Sequence, residues 1–197
     1  MDPLARIAQH FNDSLQAKQQ SLEAVGPGIV HATEAITRAL LGEHKVLSCG
    51  NGGSGAHAQH FTALMLNRFD RARPGLPSIA LNADGCTLTS IANDDQYADI
   101  FAKPIRALGQ PGDILLLLTT RGNASTILAA ADAAHDRDMS VVALTGRDGG
   151  LLSERLIGQD VEIRVPVQLT ARIHEVHILI IHCLCDLIDQ NLLGQEN

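Results

Sequence analysis

At 197 residues the chain suits one domain with a substantial core rather than two. Its 45% hydrophobic and 19% charged residues exclude wholesale disorder, and 3% aromatics without Trp leave almost no stacking platforms for single-stranded nucleic acid. A formal net charge of -7 disfavours direct contact with a phosphate backbone, although a protein partner with a basic patch stays open.

From the N-terminus, Leu4, Ile7, Phe11, Leu15 and Leu22 fall near one stripe of an amphipathic helix, which the Gly-Pro-Gly of residues 26 to 28 is expected to end. A second helix is expected over about 29 to 42. The stripe precedes the sheet and needs a surface to bury it, so part of it should pack on another copy of the chain. Five Val-, Ile- and Leu-rich runs follow: KVLSC (45 to 49), PSIAL (77 to 81), DILLLLTT (113 to 120), SVVALTG (140 to 146) and VEIRVP (161 to 166). Near-continuous apolar runs suit strands buried on both faces of a parallel sheet. Helical period fills roughly 54 to 68, 98 to 109, 123 to 136 and 170 to 192, with a short helical turn in RDGGLLSERL. The expected architecture is a doubly wound, three-layer α/β/α sandwich on a five-stranded parallel sheet, with an N-terminal helical extension.

Residues 1 to 20 lack the apolar core of a signal peptide, and no apolar run reaches the roughly 20 residues that span a bilayer, so a cytoplasmic chain is expected. Cys49, Cys86, Cys183 and Cys185 form no CxxC pair and read as small buried hydrophobes.

Two polar loops should meet beyond the carboxyl ends of the strands: CGNGGSG after the first and TTRGNAST after the third. Each contains glycine, carries hydroxyl or amide groups, and opens a helix whose free N–H groups favour an anion. Asn51, Ser54, Thr119, Thr120, Arg121 and Asn123 are therefore candidates for a phosphate pocket. Gly50, Gly52 and Gly55 also satisfy GxGxxG, but a dinucleotide site wants an acid at the end of the second strand. That strand ends in Leu81 and Asn82, with Asp84 only in the loop beyond. No cofactor is required by this reading.

The motifs CGNGGSGAHAQHF, SIANDDQYADIFAKPIRALGQPGD, TTRGN, ALTGRDGG, VEIRVP and RIHEVHILIIH, in this order, resemble the SIS (sugar isomerase) domain family. The resemblance implies a flavodoxin-like SIS fold over 43 to 197, with the helices of 1 to 42 used in oligomerisation and a homotetramer as the assembly. It adds Arg68 and the Asn93-Asp94 pair as further phosphosugar contacts. It also implies an acid–base pair or zinc site at His60, His174 and His182, with a carboxylate base four residues after His60. This sequence has Leu64 at that place, and Ala171 where the family carries an acid. Leucine can neither take a proton nor bind metal.

Two branches of the family then compete. The missing base, the altered phosphate loop and the ending HCLCDLIDQNLL resemble the DiaA type, which binds the replication initiator DnaA and favours its assembly at the origin. A non-catalytic protein of that type is the leading expectation, with Leu192 and Leu193 contacting the partner. The alternative is phosphoheptose isomerase, converting sedoheptulose 7-phosphate with His60 or His174 as base and His182 as its partner.

Overall fold

In a computed structural model, residues 2–194 are described. Five strands form one all-parallel sheet in the order β2-β1-β3-β4-β5: β1 Val46–Gly50, β2 Ser78–Ala80, β3 Ile114–Leu118, β4 Ser140–Gly146 and β5 Val161–Val165. The helices are α1 Pro3–Leu41, α2 Gly53–Leu66, α3 Gly85–Asp94, α4 Ala102–Leu108, α5 Ser125–His135, α6 Gly150–Arg155 and α7 Thr170–Leu193. The doubly wound sandwich read from the apolar runs is the observed fold.

Alternation along each strand divides the core. Ile114, Leu116 and Leu118 of β3 face a cluster built with Ala58, Phe61 and Met65 of α2, the second half of α1, and Ile173, Ile180 and Leu184 of α7. Leu115 and Leu117 face the other layer, with Phe101, Ile105, Ile127 and Ala131. Among the described helices α7 alone is long and apolar enough to cross a bilayer. Its apolarity is that of a core helix, since Ile173, Val176, Ile180, Ile181, Leu184 and Ile188 are buried.

One expectation needs correction at the N-terminus. The Gly-Pro-Gly of 26 to 28 does not end a helix; α1 runs unbroken for 39 residues through Pro27. An internal proline costs about 3 kcal/mol, which packing here offsets. A Cβ on Gly28 would lie 3.2 Å from the Glu162 carbonyl oxygen, so the glycine serves close approach of α1 to β5 rather than a turn. Val25, Ile29, Ala32, Ile36 and Ala39 enter the same core as the sheet. The apolar stripe of the first half of α1 stays exposed, although Ala17 and Ser21 are buried: Leu4 is 74%, Phe11 70% and Leu22 69% exposed.

Helix α3 was not among the sequence expectations, although its signal is local. Asp84 caps it, accepting from the backbone N–H of Cys86 at 3.0 Å and of Thr87 at 3.1 Å. The helix expected over 98 to 109 is shorter, with a 3₁₀ turn at Tyr97–Asp99 preceding α4. Cys49 and Cys185 are buried and Cys183 is half-buried, whereas Cys86 is exposed, so the buried reading fails there. Burial raises the Cys49 thiol pKa and pushes that of Cys185 to about 12, which keeps both as inert thiols.

Candidate active site at the switch point

The chain leaves β1 toward β2 on one side and β3 toward β4 on the other, so strand order reverses between β1 and β3. In such a sheet the crevice at the carboxyl ends of those two strands is the natural ligand site. A cavity of about 210 Å³ lies there, lined by Asn51 and Ser54 from the first loop and Thr119, Thr120, Arg121 and Asn123 from the second. All six were singled out from the sequence. The capping residues of α2 and α5, Gly52 and Ala124, provide no side-chain cap, so both helices open beside the cavity with N–H groups available to an anion.

Specific bonds hold the two loops. Asn51 Nδ2 donates to Thr126 Oγ1 at 2.7 Å, tying the first loop to α5. Thr119 Oγ1 accepts from the Gly122 N–H at 3.1 Å, which leaves its own proton for a ligand oxygen. Asn123 Oδ1 accepts from the Leu151 N–H at 2.8 Å. Gly122 has φ +68, and a Cβ there would fall 1.8 Å from the Gly149 carbonyl oxygen, so only glycine fits. Asn82, where a dinucleotide site would want an acid, has a structural role. Its Oδ1 accepts from the Gly50 N–H at 3.1 Å while its Nδ2 donates to the Gly50 carbonyl at 2.8 Å, a two-bond clamp on the first loop.

Arg121 is exposed and borders a second cavity of about 250 Å³ with Asn123, Arg147, Asp148 and Gln168. It lines both cavities. Two other expected contacts lie elsewhere. Arg68 is exposed just past the end of α2, about 20 Å of helix rise from Ser54, and Asp94 is exposed at the end of α3, where it accepts from Asn93. Neither lines the cavity within one chain.

Helices α2 and α7 pack together and bring five histidines into two groups. His60 Nε2 and His182 Nε2 are 3.2 Å apart, with Phe69 beside the His182 ring. His57, His174 and His177 form the other group, one ring nitrogen from each lying within 4.8 Å of the others. The expected trio of His60, His174 and His182 is thus divided: two turns of α7 separate His174 from His182, and His174 turns to His57. With Leu64 half-buried against the core, the zinc set implied by the resemblance does not assemble in this chain. Its signal was incomplete in sequence. The paired spacings His57 to His60 and His174 to His177 put two histidines on one face of each helix, but only packing decided their partners.

The environment favours the neutral form of four of these rings. Desolvation lowers the pKa of His57, with His174 and His60 adding repulsion. Desolvation likewise lowers His60, helped by His182, and lowers His174. His177 is fully buried and falls to about 4, chiefly by desolvation, even though Thr145 accepts a bond from its ring. Burial thus favours the neutral form of His57, His60, His174 and His177, whose lone pairs are available to protons or metal.

Known proteins share this fold. The family model described as the SIS domain matches residues 9–146. A phosphoheptose isomerase of Halorhodospira halophila is 57% identical over 194 residues, 98% of each chain. The structure of a phosphoheptose isomerase from Francisella tularensis superposes with a TM-score of 0.93 at 47% identity, covering 96% of this chain and all of that one. Phosphoheptose isomerase GmhA from Neisseria gonorrhoeae gives 0.90 at 43%, over 96% and 100% of the two chains.

These relatives overturn the leading expectation of a non-catalytic, DnaA-binding protein of the DiaA type and favour the alternative. The supposed partner surface is also poor: Leu192 packs against the core, leaving Leu193 as its exposed member at 43%. The chain belongs to the SIS-domain family.

Proposed function

We propose that the chain is an aldose–ketose isomerase of the phosphoheptose type, taking sedoheptulose 7-phosphate. The observation that carries the reading is the His60–His182 pair, 3.2 Å apart across α2 and α7, with His60 on the helix that also opens the anion cavity. His60 stands six residues along α2 from Ser54, about 9 Å of rise. That offset suits a substrate with its phosphate at one end of an extended carbon chain and its reacting carbonyl at the other.

The phosphate rests against the two open helix ends, with Ser54, Thr119 and Asn123 donating and Arg121 supplying charge. One neutral imidazole of the pair takes the proton from the hydroxyl-bearing carbon next to the carbonyl. The resulting imidazolium donates to its neutral partner, a charge-assisted bond that stabilises the ion while the enediol forms. Return of the proton to the neighbouring carbon, with the hydroxyl proton passing from its oxygen to the former carbonyl oxygen, completes the isomerisation. Histidine serves as base here because its unperturbed pKa lies near neutrality and burial keeps it uncharged. Position 64 contributes only a hydrocarbon side chain to this step.

The test is direct assay of purified chain with sedoheptulose 7-phosphate in deuterated water. Isomerised product carrying deuterium at the exchanged carbon is expected, with at least about a hundredfold loss in His60→Ala and in His182→Ala. Turnover at background, or turnover indifferent to both substitutions, sinks the proposal.

The assembly belongs to the same reading. The exposed stripe of Leu4, Ile7, Phe11, Leu15 and Leu22 is apolar surface of the kind chains bury against copies of themselves. We propose a homotetramer assembled through it, with residues 1–42 serving both core and interface. Arg68, remote from its own cavity, is then available to a neighbouring copy.

A further inference from the structure

The second histidine group has no part in the proton transfers just described. We propose that His57, His174 and His177 form a zinc-type metal site of three imidazole ligands, distinct from the His60–His182 pair. The inference goes beyond the isomerase reading and does not depend on it.

Three observations converge. One ring nitrogen from each histidine lies within 4.8 Å of one from each of the other two. A tetrahedral zinc with bonds of about 2.0 Å places its nitrogens roughly 3.3 Å apart, so the rings need close by at most about 1.5 Å. His57 and His174, both half-buried, have that freedom, while His177 is fully buried and fixed.

The second observation is the tautomer of His177. Its Nε2 lies 2.9 Å from the Thr145 carbonyl oxygen. A carbonyl only accepts, so Nε2 carries the hydrogen and Nδ1 of the neutral ring is a lone pair. A histidine steadied by a backbone carbonyl, with its other nitrogen free, is the arrangement metal-binding histidines adopt.

Third, Nδ1 of His57, of His174 and of His177 are all buried without a hydrogen-bond partner. A single orphaned buried polar atom costs about 1 to 3 kcal/mol. Three on neighbouring rings, with centroids 5.1 Å apart for His57 and His174 and 6.4 Å for His174 and His177, suit a shared electrophile as their partner. Imidazole donors without thiolate or carboxylate suit zinc, which keeps one position open when the protein supplies three ligands. The site also borders the anion cavity, since a Cβ on Gly53 would lie 3.1 Å from His174 Nε2, and Ser54 is the next residue.

The experiment titrates zinc into chelator-stripped full-length protein against a chromophoric zinc competitor, with the visible spectrum of the cobalt-loaded protein as a second readout. One zinc per chain and a tetrahedral cobalt spectrum are expected. His57→Ala and His174→Ala, both at half-buried positions where folding is retained, should each weaken zinc by at least about a hundredfold. His182→Ala should leave the affinity within about threefold. Absence of stoichiometric zinc in the unmodified chain overturns the proposal, and so does zinc lost in His182→Ala but kept in His57→Ala, which would place the ion at the other pair. Neither readout requires turnover, so failure here is separable from failure of the isomerase assay.

Discussion

Asp189→Asn tests what holds the helix carrying His57 and His60. Arg73 Nε is 2.5 Å from Asp189 Oδ1, and the two side chains are 1% and 3% exposed. The same guanidinium donates to the Leu64 carbonyl at 3.0 Å and the Met65 carbonyl at 2.8 Å, closing the last turn of α2. Replacing the carboxylate with a neutral amide leaves a buried guanidinium facing only carbonyl dipoles. Loss of one partner of a buried pair costs about 3 to 5 kcal/mol. Against a total stability of about 5 to 15 kcal/mol this is a large fraction, and for a chain of this size it lowers Tm by roughly 6 to 20 °C. Urea unfolding followed by circular dichroism, with Arg73→Met and the double variant completing a cycle, measures it. The double variant should recover most of the loss, because no buried charge then lacks a partner. A cost below about 1 kcal/mol for Asp189→Asn, or additive losses in the double variant, would refute the reasoning.

The remaining predictions concern chemistry and assembly. Because burial and His182 hold the His60 pKa below 6.5, its neutral fraction persists on acidification past that value. After allowance for the substrate phosphate, which titrates near about 6, kcat/KM should stay level down to pH 6.5 and fall only below it; an acid limb with its midpoint above 6.5 contradicts a depressed base. Gly122→Ala forces a side chain into left-handed backbone and onto the Gly149 carbonyl. Denaturant titration should register a loss of more than about 2 kcal/mol, and a phosphosugar KM should rise, whereas a silent substitution would show the loop to be pliable. Leu64→Glu sets a carboxylate four residues from His60 on the same helix face, and steady-state kinetics should record at least about a tenfold gain in turnover. Phe11→Asp combined with Leu15→Asp places charge in the exposed stripe of α1, and light scattering should find smaller assemblies than the unmodified chain forms; identical masses would remove α1 from the interface.

Much of this architecture is local information. Five apolar runs, each followed by helical period, specify an α/β sheet because a strand buried on both faces needs hydrophobic residues at nearly every position. The anion cavity was legible for the same reason: loops at strand ends open helices, so Asn51, Ser54, Thr119, Thr120, Arg121 and Asn123 meet once the order of elements is known. The Gly-Pro-Gly misled because its effect depends on β5, a partner more than 130 residues away in sequence, which repays a straight helix through close packing at Gly28.

The sequence by itself determined the sheet, its switch point and the polar loops that flank it. Only the tertiary structure decided which histidines meet, pairing His60 with His182 and gathering His57, His174 and His177. Spacing along one helix fixes which residues share a face, but the register of α2 against α7 is set by side chains interlocking across the interface, and that register chooses the neighbours from which proton transfer or metal binding is built.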